Sequence, residues 1–195
     1  MSKYFRLYQD SLIRRPFLTN ALTTGFLFGS GDVFAQLIFP SQSGKSARYD
    51  YGRTIRSVIY GGCIFSFIGD KWYKFLSKNI VASTPTKTNL LKMTIDQLCF
   101  APIGIPLYYT MMSILELRPI EEIKTKLKDN WWSTLTVNWM VWPFFQFLNF
   151  NYIPVRHNLL SVNVFSIFWN TFLSYKNSLS STSKDLPVHF PPVPE

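Results

Sequence analysis

The sequence predicts an all-α integral membrane protein, a helical bundle with four to five transmembrane helices and one short amphipathic helix on the membrane surface. Three observations predict it. First, Asn130 to Val155 runs 26 residues without one Asp, Glu, Lys, Arg or His; as a helix it reaches roughly 39 Å, against about 30 Å of hydrocarbon in a bilayer. Second, four further apolar runs follow one another between basic or proline-bearing connections, in a chain that is 47% hydrophobic and 16% charged. Third, hydrogen-bonding side chains recur inside the runs at helical spacing, as at Asn138, Trp142, Gln146 and Asn149. Lipid offers such groups no partner, so the stripes face one another or water.

The chain has 195 residues, the length of one domain. It divides into a basic amphipathic start (1–16), a helical membrane domain (17–176) and a polar, Pro-rich tail (177–195) extended on the surface. The start sets Phe5, Tyr8 and Leu12 on one side and is compatible with mitochondrial import. Pro16 opens the first run, Phe17 to Phe39. Gly25 and Gly29 there form a small-xxx-small pair for close helix approach, and Asp32 and Gln36 share a face. A carboxylate inside a span costs about 2.5–3.5 kcal/mol on insertion scales, so Asp32 turns toward protein or water.

The second run, Thr54 to Leu76, has a short uncharged core, Ser57 to Gly69, whose flanking Arg53, Arg56, Lys71 and Lys74 can snorkel to the headgroups. Cys63 and Cys99 read as buried free thiols. The third run, Leu90 to Leu117, holds Asp96-Gln97 and then Pro102 and Pro106, which free backbone carbonyls and break the helix. Arg118 to Asp129 pairs Glu122 with Lys126 and stripes Ile120, Ile123, Leu127 and Trp131, the pattern of a helix lying on the membrane and feeding the next span. That next span is the uncharged 26-residue stretch, with Pro143 as a third break; its tryptophans read as interfacial anchors and packing residues. The last run, Leu159 to Tyr175, carries Asn163, Ser166, Asn170 and Ser174 as another polar stripe.

Net charge is +9. Most of the cations fall in three connecting regions (Lys3 to Arg15, Lys45 to Arg56, Lys71 to Lys92) and not along one helix, which suits a bilayer with anionic headgroups and argues against direct nucleic acid contact. Five crossings leave ten Lys and Arg on each side, so the positive-inside rule does not orient the chain. No catalytic or cofactor constellation stands out, and the chain does not read as an enzyme. Gly44-Lys45-Ser46 lacks the first glycine of a phosphate loop, and His157 and His189 lack Cys or Glu at metal-ligand spacing. The candidates for lining or gating an aqueous path are Asp32, Gln36, Asp96, Gln97, Asn138, Gln146 and Asn149. The rival reading takes the same residues as interhelical hydrogen bonds in a non-conducting structural or interaction protein. Assembly as a homo-oligomer is open to either.

Trp142-Pro143, Gln146, Asn149-Phe150 and Pro154, with Trp169-Asn170 and Leu173-Ser174, closely resemble the C-terminal signature of the Mpv-seventeen and peroxisomal membrane protein family. Gly31-Asp32, Ala35-Gln36, Trp72-Tyr73, Asp96-Gln97 and Phe100-Ala101-Pro102 extend the match upstream. Gly69 to Lys74 and Val188 to Pro192 look most like its fungal mitochondrial Sym-type stress proteins. The chain departs from the pattern at Ser66-Phe67, where members often carry Gly-Pro, and at Asn158, where an arginine is usual. The resemblance implies a small multi-pass protein of the mitochondrial inner membrane, with channel-like passage of small solutes or metabolites. It also implies links to stress response, metabolic homeostasis and mitochondrial DNA maintenance.

Overall fold

The computed structural model describes residues 3–39, 49–152 and 155–182, and among them every regular element is a helix. A short α1 (Lys3–Arg14) precedes α2 (Pro16–Ile38). The chain bends between them because Pro16, at the start of α2, has no N–H with which to continue the first ladder. Next come α3 (Tyr51–Ile59), a π-helical turn (Tyr60–Phe65) and α4 (Ser66–Asn79), stacked as one rod. A second rod is built the same way, from α5 (Pro85–Ile95), a π-helical turn (Asp96–Phe100) and α6 (Ala101–Leu115). Two long helices complete the chain, α7 (Ile120–Tyr152) and α8 (Val155–Thr182).

Local chemistry marks the boundaries. Asp50 caps α3 by accepting the Arg53 N–H at 2.9 Å, and Thr84 caps α5 by accepting that of Lys87 at 3.3 Å, with Pro85 behind it. At the α6–α7 turn the Arg118 N–H returns to Ser113 O at 3.0 Å, across Leu117 with φ of 55°. This is a Schellman-type stop with leucine where glycine is usual.

Consecutive rods run antiparallel, and α8 returns parallel to α2. The centre takes a residue from each: Phe28, Tyr60, Tyr108, Leu135 and Leu173 are all buried. Phe28 meets Tyr60 edge-on at 5.3 Å, and Tyr60 meets Tyr108 at 5.1 Å. The outer surface is apolar as well. Phe26 (70% exposed), Ile55, Ile103, Met140 (75%) and Phe168 (69%) stand outward from the five rods. A water-soluble monomer rarely exposes so much apolar side chain, while lipid is indifferent to it. Pro16–Ile38 and Pro85–Leu115 are long and apolar enough to cross a bilayer.

Several sequence expectations change. The segment from Arg118 to Asp129 does not form a separate surface helix: from Ile120 it supplies the first turns of α7, with Ile123 and Lys126 turned into protein. Both cysteines are free but exposed on the outer wall, because in a lipid-facing bundle an apolar setting need not be an interior one. Lys176 does not end the last helix, which runs on to Thr182. Arg53 does not snorkel but turns inward, where it lies 2.7 Å from Asp32. The connection at Ser41 to Gly44, Pro154 and the tail from residue 183 lie outside the described residues.

Candidate functional site

Two buried polar centres organise the interior, and each gathers side chains from helices far apart in sequence. The first forms where α2, α3 and α8 meet. Asp32 is fully buried. One carboxylate oxygen lies 2.7 Å from Arg53 Nε and accepts from the Ser174 hydroxyl; the other accepts from Thr54 Oγ1 at 2.6 Å and Gln36 Nε2 at 2.8 Å. Arg53 reaches the Ser174 carbonyl and hydroxyl at 3.1 Å each. Gln36 also accepts the Asp50 N–H at 2.8 Å and so ties α2 to the cap of α3. Every member is satisfied by another, the condition under which a buried ion pair holds a structure together.

Gly31 makes the first centre possible. A Cβ there would lie 2.5 Å from Asn170 Cβ and 2.8 Å from the Asn170 carbonyl carbon. Only a bare backbone lets α2 come near enough to α8 for Asp32 to reach Ser174. Gly31-Asp32 and Asn170 with Ser174, separate motifs in sequence, are therefore two halves of one contact.

The second centre lies on the π-helical turn at Asp96–Phe100. Asp96 accepts from the Trp72 indole N–H at 2.8 Å and from Gln97 Nε2 at 3.1 Å. Gln97 Oε1 accepts from Asn138 Nδ2 at 2.6 Å, which brings α7 into the group. Among the described residues no cation lies within ion-pair distance of Asp96. The carboxylate is half-buried, and the donors that the described residues bring to it are neutral.

The backbone around it is held the same way. In the π turn the Ala101 N–H reaches back to Asp96 O, and Pro102 has no N–H to offer Gln97 O. Trp139 Nε1 takes that carbonyl at 2.8 Å. Pro106 likewise cannot bond Pro102 O, and Trp131 Nε1 takes it at 3.0 Å. Two tryptophans eight residues apart on α7 thus bond two carbonyls left by two prolines. Pro106 and Pro143 are therefore not the breaks expected from the sequence: α6 runs on through Pro106 and α7 through Pro143, while Pro102 stands in the first turn of α6 just after the π turn. In the other π turn the Ser66 N–H goes back to Gly61 O, and the Ser66 hydroxyl bonds Gly62 O.

Of the candidates named from sequence, the structure gathers Asp32 with Gln36, and separately Asp96 with Gln97 and Asn138. Gln146, Asn149 and Phe150 lie on α7, but their side chains fall outside the described ones. Trp142 packs edge-on against Phe165 at 5.3 Å and Trp169 at 6.0 Å, joining α7 to α8. Sequence reasoning missed Arg53 as the partner of Asp32, and the indoles of Trp72, Trp131 and Trp139 as donors. It also missed the part-buried Glu116, which lies 3.6 Å from Lys126 and accepts from Asn177 at 3.0 Å.

A family model described as Mpv17 / PMP22 family matches residues 113–174. Over the full length of both chains the sequence is 53% identical to protein SYM1 of Kluyveromyces lactis. It is also 53% identical to protein SYM1 of Saccharomyces cerevisiae, over 99% of this chain and all of that one. Protein sym-1 of Neurospora crassa is 43% identical, over 87% of this chain and 96% of its own. No solved structure matches. With two helices fit to cross a bilayer and the apolar outer wall, these likenesses identify a membrane protein that belongs to the Mpv17 / PMP22 family, among its Sym1 homologues.

Proposed function

We propose that the chain is a multi-pass protein of the mitochondrial inner membrane, with all five rods crossing, and that it passes small solutes along a polar route beside Asp96, Gln97 and Asn138. On this reading its support of stress response, metabolic homeostasis and mitochondrial DNA maintenance comes from metabolite balance across the membrane. The single observation that carries the proposal is the state of Asp96. A carboxylate in an apolar rod is costly unless paired, and Asp96 is held by neutral donors with no cation beside it among the described residues. It also sits on a π turn, a distortion frequent at functional positions. A passing cation or hydrogen-bonding solute would complete what the rod leaves open.

The rival reading, a non-conducting structural protein, is favoured by the first centre, where Asp32 has its cation and its hydrogen bonds within the bundle. Purified protein in planar bilayers decides between them. Stepwise conductance from the wild type supports passage. Silent bilayers, from a preparation that melts cooperatively, support the structural reading and overturn the proposal.

A further inference from the structure

The two ends of the bundle use their cations differently. At the end that carries the α6–α7 turn and the start of α3, each of several cations has a carboxylate. Arg53 lies 2.7 Å from Asp32, Arg56 3.6 Å from Asp50, Arg118 3.6 Å from Glu116, and Lys124 2.9 Å from Glu121. The opposite end holds α1 and the α4–α5 turn. There Lys71, Lys74 and Lys78 follow one another along α4 at steps of three and four, on one side, and Lys87 continues past the turn. Lys74 pairs with Asp70 at 2.6 Å. Among the described residues no carboxylate lies within ion-pair distance of Lys71, Lys78 or Lys87, and all three are exposed.

A lysine row on a soluble surface is usually a solvated face, with polar neighbours. This one is flanked by exposed Phe75 (51%) and Val81 (76%), and Lys71 Nζ lies 4.1 Å from the centre of the Phe67 ring. The turn is held in shape, since the Thr88 hydroxyl accepts the Ala82 N–H at 2.8 Å and Trp72 fastens α4 to Asp96. The N-terminus of α5 opens at the same place, with no acid in its first turn to neutralise it. Charge that wants an anion, beside apolar side chains that want acyl chains, is the chemistry of a lipid headgroup boundary.

We propose that the α4–α5 edge binds anionic phospholipid, with Lys71, Lys78 and Lys87 on the phosphate and Phe75 and Val81 at the level of the upper acyl chain. The end that carries α1 then faces the more anionic leaflet, an orientation that the equal Lys and Arg counts do not supply. This site is separate from the route beside Asp96 and does not depend on conduction.

The test is lipid binding to the purified full-length protein in detergent, read by native mass spectrometry, with phosphatidylglycerol and phosphatidylcholine as probes. Phosphatidylglycerol should bind about a hundredfold tighter, and weaken as salt rises from low to physiological. Each lysine removed should cost roughly fivefold, so the K71Q/K78Q/K87Q variant should bind both lipids alike, while K124Q/K128Q at the other end binds as the wild type does. Equal loss in both variants, or none in the first, overturns the proposal. Displacement of the lipid by equimolar inorganic phosphate overturns it too, by marking a free-anion site. Should the triple variant fail to fold, the single variants and the wild-type salt series decide the question instead: affinity indifferent to both refutes the site.

Discussion

Asp32 and Asp96 are both carboxylates on apolar rods, yet one has a cation and the other, among the described residues, has none. Asp32 is fully buried, with Arg53 Nε at 2.7 Å and three further donors from three other side chains. Asp96 is half-buried and takes hydrogen bonds from Trp72 and Gln97. On the reading proposed above, the difference separates a charge that holds helices together from one open to a solute. A charge neutralised on the spot fixes the crossing of α2, α3 and α8, and has little left to offer a visitor. A charge held by neutral donors keeps most of its field for something that arrives.

The largest effect that would break this comparison is the loss of the cation. Arg53→Ala leaves Asp32 buried and uncompensated, and should cost about 3–5 kcal/mol in thermal or denaturant unfolding of the purified protein. The double variant Asp32→Asn with Arg53→Met should recover part of that loss, because no charge is stranded. A melting curve for Arg53→Ala that overlays the wild type would mean that the pair does not hold the helices.

Gly31→Ala is next. Its methyl would meet the Asn170 carbonyl carbon at 2.8 Å, which is backbone and cannot swing away. Repacking α2 against α8 should cost about 1–3 kcal/mol, read in the same unfolding assay. Gly69→Ala, where the nearest atom is the Phe65 ring at 3.9 Å, serves as the control and should change little.

The smallest effects sharpen the second centre. Trp139→Phe removes the donor from Gln97 O and should cost about 1–2 kcal/mol. Trp131→Phe removes the donor from Pro102 O at a side chain 40% exposed, where water or headgroups can substitute, and should cost less. The reverse order in measured stability would say that the π turn is not the place where the backbone needs help.

Much of this was legible in the residues. Uncharged runs located the rods, and the spacing of Asp32 with Gln36 and of Asp96 with Gln97 put them inside those runs. The partners were less legible but not hidden. In an antiparallel hairpin, facing residues are equidistant from the turn. The midpoint of Asp32 and Arg53 falls in the connection that holds Ser41 to Gly44, that of Trp72 and Asp96 falls on Thr84, and that of Gln97 and Asn138 falls between Leu117 and Arg118. A hairpin reading would therefore have paired Arg53 inward, where a flank-of-a-span reading sent it to the headgroups. Other features left no such trace. Gly61-Gly62 and Asp96-Gln97 have the periodicity of ordinary helix, so nothing marks a π turn. The contact of α8 with α2 joins the two most distant rods, and no connection length predicts it. The cysteines misled for a physical reason: apolar surroundings signal an interior only when the solvent is water.

The division of labour between the two carboxylates is tested most directly by single-channel recording of purified Asp96→Asn protein beside the wild type. Asparagine keeps an acceptor for the Trp72 indole, so melting should stay within about 2 °C, while unit conductance or ion selectivity changes. Conductance and selectivity identical to the wild type, from protein that melts identically, would contradict the account.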